Sequence, residues 1–144
     1  MINHSELLEM WEKDAEIDRN NLDVSSVEVP KLHHKYLQVL MDLRSRKIAL
    51  NNKVEEIRKN KELYYSGQAT ADQYKEKPFD VRLKTKAGVE KHVNTDPEVV
   101  RIQERIEYID VLIEGVNHIL TQIQWRNQHI KNALDWARFT SGSL

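Results

Sequence analysis

The hydrophobic positions in the last third of the chain follow one rhythm. Val99, Ile102, Ile106, Ile109, Ile113, Val116, Leu120, Ile123, Asn127, Ile130, Leu134 and Ala137 recur at alternating steps of three and four. Such spacing keeps one stripe turned toward a partner helix while the stripe winds slowly around its own axis. It predicts a single long helix over residues 96–138. Asp96 suits its N-cap, Pro97 its first position and Glu98 the positive end of its dipole, and Ser141 and Gly142 close it. At about 1.5 Å per residue the rod would measure about 60 Å, too long for the interior of a compact domain of this size. It needs other helices to lie against.

A second stripe, Tyr36, Leu40, Leu43, Leu50, Val54, Ile57 and Tyr64, predicts a helix from Pro30 to the stop at Ser66 and Gly67. Lys47 and Lys61 fall on its seam. Either their stems lie along the seam with the ammonium groups in water, or the helix faces a wet, charged space there. The two rods are expected to pair antiparallel. Near the start, Ser5 is the expected cap of a short amphipathic helix carrying Leu7, Leu8 and Trp11. Residues 18–29 read as a connector whose path Ile17, Leu22 and Val27 anchor.

Between the rods the helical period stops. Residues 68–78 read as a loop. Val81, Leu83 and Thr85 alternate with polar neighbours, Lys86, Ala87 and Gly88 suggest a turn, and Val89, Lys91 and Val93 alternate again, which predicts a β-hairpin. A lone hairpin is marginal in water and needs a neighbour. The expected fold is thus mainly α: two long antiparallel helices, a short N-terminal helix and a small β-hairpin insertion. One domain spans 1–144, divided into an acidic helix and connector (1–29), a basic helix (30–67), a loop and hairpin (68–95) and a long closing helix (96–144).

That closing helix carries more apolar surface than one seam uses, since Tyr108, Val111, Leu112, Ile119, Trp125 and Trp136 lie off the stripe. Homo-oligomerisation would cover it. Leu112, Val116, Ile119, Leu120, Ile123, Trp125, Ile130, Leu134 and Trp136 are the candidate oligomerisation residues, and Asn127 is a candidate for setting register. The alternative is that the acidic N-terminal helix folds back over this flank within one chain.

Charge changes the picture once it is split along the sequence. The net charge is only -1, yet residues 1–28 carry eight acids against two bases and residues 31–67 carry nine bases against four acids. An acidic head and a basic middle are separate surfaces, and the basic one invites a polyanion. The absence of cysteine excludes disulfides and thiolate chemistry. No signal peptide and no span-length apolar run is visible, which suggests a cytosolic protein without a membrane partner. Six histidines lack metal-ligand spacing, and no nucleotide loop, nucleophile elbow or H-E-x-x-H motif occurs. No metal, cofactor or catalytic site is expected.

Nucleic-acid chemistry is better represented. Arg58, Lys59 and Lys61 lead into Tyr64 and Tyr65 at the end of the basic helix. Cations neutralise phosphates and aromatic faces stack unpaired bases, a combination suited to single strands. Arg82, Lys84 and Lys86 of the expected hairpin could join them. The plainer alternatives are that these cations complement the helix dipole while Tyr64 fills core, or that the basic face of an oligomeric coiled-coil scaffold meets an acidic protein.

The run Lys59-x-Lys61-x-x-Tyr64-Tyr65-Ser66-Gly67 resembles the basic and Tyr-Tyr-Ser-Gly stretch of the UvsY recombination mediators of T-even-like phages. Lys13-Asp14-x-x-Ile17-Asp18-x-x-x-Leu22 is similar to a second stretch of that family, and the order of elements agrees over nearly the whole chain. The resemblance implies a non-enzymatic, ring-forming helical protein, heptameric in that family. Such a protein binds single-stranded DNA and helps load a UvsX-type recombinase onto strand coated by single-strand DNA-binding protein, in the cytoplasm of the infected bacterial host. It also implies that Lys59 and Lys61 bind DNA and that the C-terminal helix drives self-assembly. Where the family carries a second basic residue as Arg, this chain has Lys61, which lacks the planar, bidentate fork of a guanidinium.

Overall fold

The computed structural model describes residues 1–79, 83 and 85–142. It is mainly helical: α1 (His4–Ala15), α2 (Leu22–Val27), α3 (Val29–Tyr65), α4 (Ala71–Glu76), α5 (Lys86–Thr95), α6 (Pro97–Gln124) and α7 (Arg126–Ser141). The chain divides into two compact units, Met1–Arg44 with Asp110–Leu144, and Ser45–Ile109. Helices α3 and α6 contribute to both.

In the first unit, Leu7 of α1, Tyr36, Leu40 and Leu43 of α3, Leu112, Val116, Ile119 and Ile123 of α6, and Ile130 of α7 are buried. The cap of α1 is Asn3 and not Ser5: its side-chain oxygen accepts from the Glu6 amide (2.9 Å) while the Glu6 carboxylate accepts from the Asn3 amide (3.1 Å). A Cβ at Gly115 would sit 3.5 Å from a Leu7 methyl, so α1 lies directly on α6. Trp11 meets the Tyr36 ring edge-on at 5.7 Å. The acidic helix therefore covers part of the flank that Leu112 and Ile119 present. The connector is partly helical, as α2, and Val27 does not anchor it, being 78% exposed.

The expected single closing rod is broken at Trp125. Its amide donates to both the Thr121 (3.3 Å) and Gln122 (3.2 Å) carbonyls, a local tightening of the helix, before α7 restarts. The buried stripe then shifts from Asn127 to Arg126 and Ile130. Arg126 donates to the carbonyls of Ala15 (3.3 Å) and Glu16 (2.8 Å), satisfying the C-terminal end of α1. Burial lowers its pKa, partly offset by Asp14. Asp14 itself accepts from Lys35 (2.6 Å) and from the Tyr36 hydroxyl (2.9 Å). Exposed Asn127 accepts from Ser26 (3.3 Å), tying α7 to α2. Gly142, with φ 74°, closes α7 in the left-handed region as expected.

In the second unit, Val54 of α3, Val89 and Val93 of α5, and Val99, Ile102 and Ile106 of α6 form one core cluster, with Leu50, Ile57, Tyr65 and Leu83 packed against it. Helices α3 and α6 are antiparallel here, since Tyr65 at the end of α3 reaches Asp96 at the start of α6. The β-hairpin reading is overturned. Residues 86–95 are helical, capped by Thr85, whose hydroxyl accepts from the Gly88 amide (3.1 Å). Val81, Arg82 and Lys84, from the other half of the expected hairpin, lie outside the described residues. The loop at 68–78 contains α4, opened by a capping box between Thr70 and Gln73.

Candidate nucleic-acid interface

The basic end of α3 belongs to the second unit and has two unlike faces. One carries Val54, Ile57, Lys61 and Tyr65 toward the core. The other carries Lys59, Glu62, Leu63 and Ser66, which line a groove of about 600 Å³ together with Leu83, Thr85 and Lys86.

On the core face, Asp96 is the hub. It is 5% exposed. One carboxylate oxygen accepts from the Glu98 amide (2.9 Å), capping α6 as the sequence predicts, and the other accepts from the Tyr65 hydroxyl (2.6 Å). The Lys61 ammonium lies 3.4 Å from the same carboxylate and 3.2 Å from that of Glu98. Burial would raise the Asp96 pKa, but Tyr65, the Glu98 amide and Lys61 outweigh it and hold the carboxyl below its ordinary value. Burial would likewise lower Lys61, but Glu98 and Asp96 outweigh it and raise it. Of the two readings of Lys61 on the seam, the structure selects neither a bare snorkel nor an open wet space: it is ion-paired. Desolvation, with help from Asp96, raises the Tyr65 phenol well above its ordinary range.

Tyr64 and Tyr65 sit in a cluster of rings. Tyr64 stacks on Tyr74 (5.4 Å, 21°) and donates its hydroxyl to the Lys77 carbonyl (2.8 Å). Phe79 meets both tyrosines, and His92 meets Tyr65 and Phe79. Tyr74 donates to the Tyr64 carbonyl (2.7 Å), which satisfies a backbone group left open at the end of α3. These contacts hold the segment after α3 onto the helix end.

Among the predicted cations, Arg58 is half-buried and donates to the Asn94 side chain (2.8 Å). Lys59 and Lys86 are exposed, and no carboxylate among the described residues pairs with either. Arg82 and Lys84 lie outside the described residues. The groove joining Lys59 to Lys86 escaped sequence reasoning because the two are separated by 27 positions; reading 86–95 as a strand hid that Lys86 opens a helix.

The predicted oligomerisation residues also divide. Leu112, Val116, Ile119, Leu120, Ile123 and Ile130 are buried within the chain, whereas Trp125 (57%), Leu134 (39%) and Trp136 (65%) are exposed. Trp136 stacks on Phe139, so α7 presents a surface pair of rings. Arg126 was missed altogether; its only signal is a charged residue beside an apolar stripe. Among the described residues, no group of three His, Asp or Glu could hold a metal, and no helix is long and apolar enough to cross a membrane.

Fold and site together define a mainly α-helical protein in which two exposed ammonium groups, those of Lys59 and Lys86, line one groove. The model of the family described as recombination, repair and ssDNA binding protein UvsY matches residues 10–143, and the chain belongs to that family. Among solved structures, it is similar to crystal forms of the bacteriophage T4 recombination mediator protein UvsY. The type IV lattice gives a TM-score of 0.80 at 19% identity, covering 96% of this chain and 99% of that one. The type II lattice gives 0.79 at 20%, with 98% and 99% covered, and the type I lattice 0.77 at 21%, with 93% and 98% covered. At these identities the likeness establishes the fold. Comparison with curated proteins finds no match.

Proposed function

We propose that this chain, acting as one domain over residues 1–144, is a recombination mediator. It binds single-stranded DNA and helps load a UvsX-type recombinase onto strand that single-strand DNA-binding protein already coats, in the cytoplasm of an infected bacterial host. Membership of the UvsY family over residues 10–143 carries this reading. The local chemistry supports it, because a phosphate backbone is drawn to ammonium groups that no carboxylate among the described residues pairs with. The protein hydrolyses nothing. Handover draws its free energy from unequal affinity for the DNA states before and after loading, since a mediator that held both equally would shift neither.

Self-assembly through α7 accompanies this function. Trp125, Leu134, Trp136 and Phe139 are apolar surface that a second copy would cover, and a ring, heptameric by family resemblance, repeats one weak basic site around a single strand. Avidity then replaces a tight individual contact.

Recombinase ATP hydrolysis on pre-coated strand tests the reading. Adding the protein is expected to shorten the lag before DNA-dependent hydrolysis while leaving the rate on bare strand nearly unchanged. An unaltered lag at protein concentrations that saturate the strand would refute mediation.

A further inference from the structure

We propose that Lys86, and not Lys61, is the second ammonium of the strand-binding site, and that Lys59 and Lys86 grip the phosphodiester backbone from the two sides of one groove. The inference rests on the single-strand-binding reading above and locates its contact.

Helix geometry separates Lys59 from Lys61. Residues two apart on a helix point about 200° away from each other, so a Lys-x-Lys pair cannot serve one phosphate from one face. Residues 59, 62, 63 and 66 share a face and line the groove. Lys61 is on the opposite side, its side chain 18% exposed and held between Asp96 and Glu98. Drawing it out to a phosphate would strand Asp96, which is almost wholly buried.

Lys86 has the contrary character. It is exposed and occupies the first position of α5, where a cation opposes the helix dipole, so folding alone disfavours it there. It lines the groove with Lys59, and Glu62 is the one acid among the described lining residues. Two ammonium groups against the single carboxylate of Glu62 leave the described lining net positive, and the positive end of α5 favours an anion in the same place. Leu63, Leu83 and Val89 add apolar wall against which a sugar or base can rest. A volume of about 600 Å³ admits a nucleotide unit.

The test is the salt dependence of binding to a labelled oligothymidylate by Lys86→Ala, Lys59→Ala and Lys61→Met proteins. Each single-strand phosphate contact contributes about 0.7 to the slope of log affinity against log salt. Lys86→Ala and Lys59→Ala are each expected to flatten the slope by about that amount per subunit engaged, with melting temperature unchanged or slightly raised for Lys86→Ala. Lys61→Met is expected to lower the melting temperature and keep the slope. An unchanged slope in Lys86→Ala, or a flattened one in Lys61→Met, overturns the assignment. A second arm uses inorganic tripolyphosphate as probe and thermal stabilisation as readout. Stabilisation that Lys86→Ala abolishes and Lys61→Met retains supports the groove even if the wild-type chain bound no oligonucleotide, an outcome that would refute the mediator reading alone. Stabilisation retained by Lys86→Ala overturns the groove by itself.

Discussion

Asp96 joins three tasks in one carboxylate: it caps α6, accepts from Tyr65 and faces Lys61. Because the folded protein holds this carboxyl below its ordinary value, the unfolded chain takes up its proton first as pH falls. The contribution of Asp96 is therefore present above about pH 4 and is lost as pH drops through the folded value. Lys61 runs the other way: its raised ammonium contributes below about pH 10 and ceases to contribute as pH climbs through the folded value. Asp96→Asn keeps a capping oxygen but removes the charge facing Lys61. We expect it to cost about 1–2 kcal/mol at neutral pH and to remove this acid-limb dependence, read from urea midpoints taken across pH. A midpoint that falls with acid as steeply in Asp96→Asn as in the parent would contradict the network. That Asp96 caps a helix was legible from Asp-Pro-Glu; that it gathers Tyr65 and Lys61 was not, because those residues are more than 30 positions away.

The elements show why some helices were readable and one was misread. The span of α3 follows from a three-four stripe, crossed only by Lys47 and Lys61 and free of Pro and Gly, between Pro30 and Gly67, and Gly67 adopts φ 82°, the left-handed conformation a stop requires. Residues 86–93 misled because Val89 and Val93, four apart, satisfy an alternating pattern and a helical face equally. What decides is tertiary: both valines bury against α3 and α6, and Thr85 supplies the cap. The break at Trp125 was invisible because the apolar rhythm runs straight through it. Its consequence is to bring Arg126 to the end of α1, so Arg126→Ala should undock that helix. We expect a loss of about 2 kcal/mol and faster amide exchange confined to residues 4–15. Uniform loss of protection across the first unit would mean that Arg126 supports the whole core.

For the molecule as a whole, six of the nine apolar residues suggested for oligomerisation build the first unit, so sequence could not separate inner grease from outer. Burial separates them. The surface rings of α7 are the apolar surface through which we propose that copies assemble, and on that proposal Trp136→Asp should lower the assembled mass in sedimentation at unchanged helix content, since Trp136 is 65% exposed. An unchanged mass would move the interface away from this end of α7. On the proposed assembly, its loss should also weaken strand binding by more than one site's worth, because avidity would depend on several subunits touching one strand.

The central claim, that an electrostatic surface of this chain holds single strands, is tested most directly by fluorescence anisotropy of a labelled oligothymidylate at several salt concentrations beside a duplex of equal length. The account predicts binding to the single strand that weakens steeply and linearly on logarithmic axes as salt rises, with the duplex held more weakly throughout. Absence of single-strand binding at low salt, or affinity indifferent to salt, would contradict it.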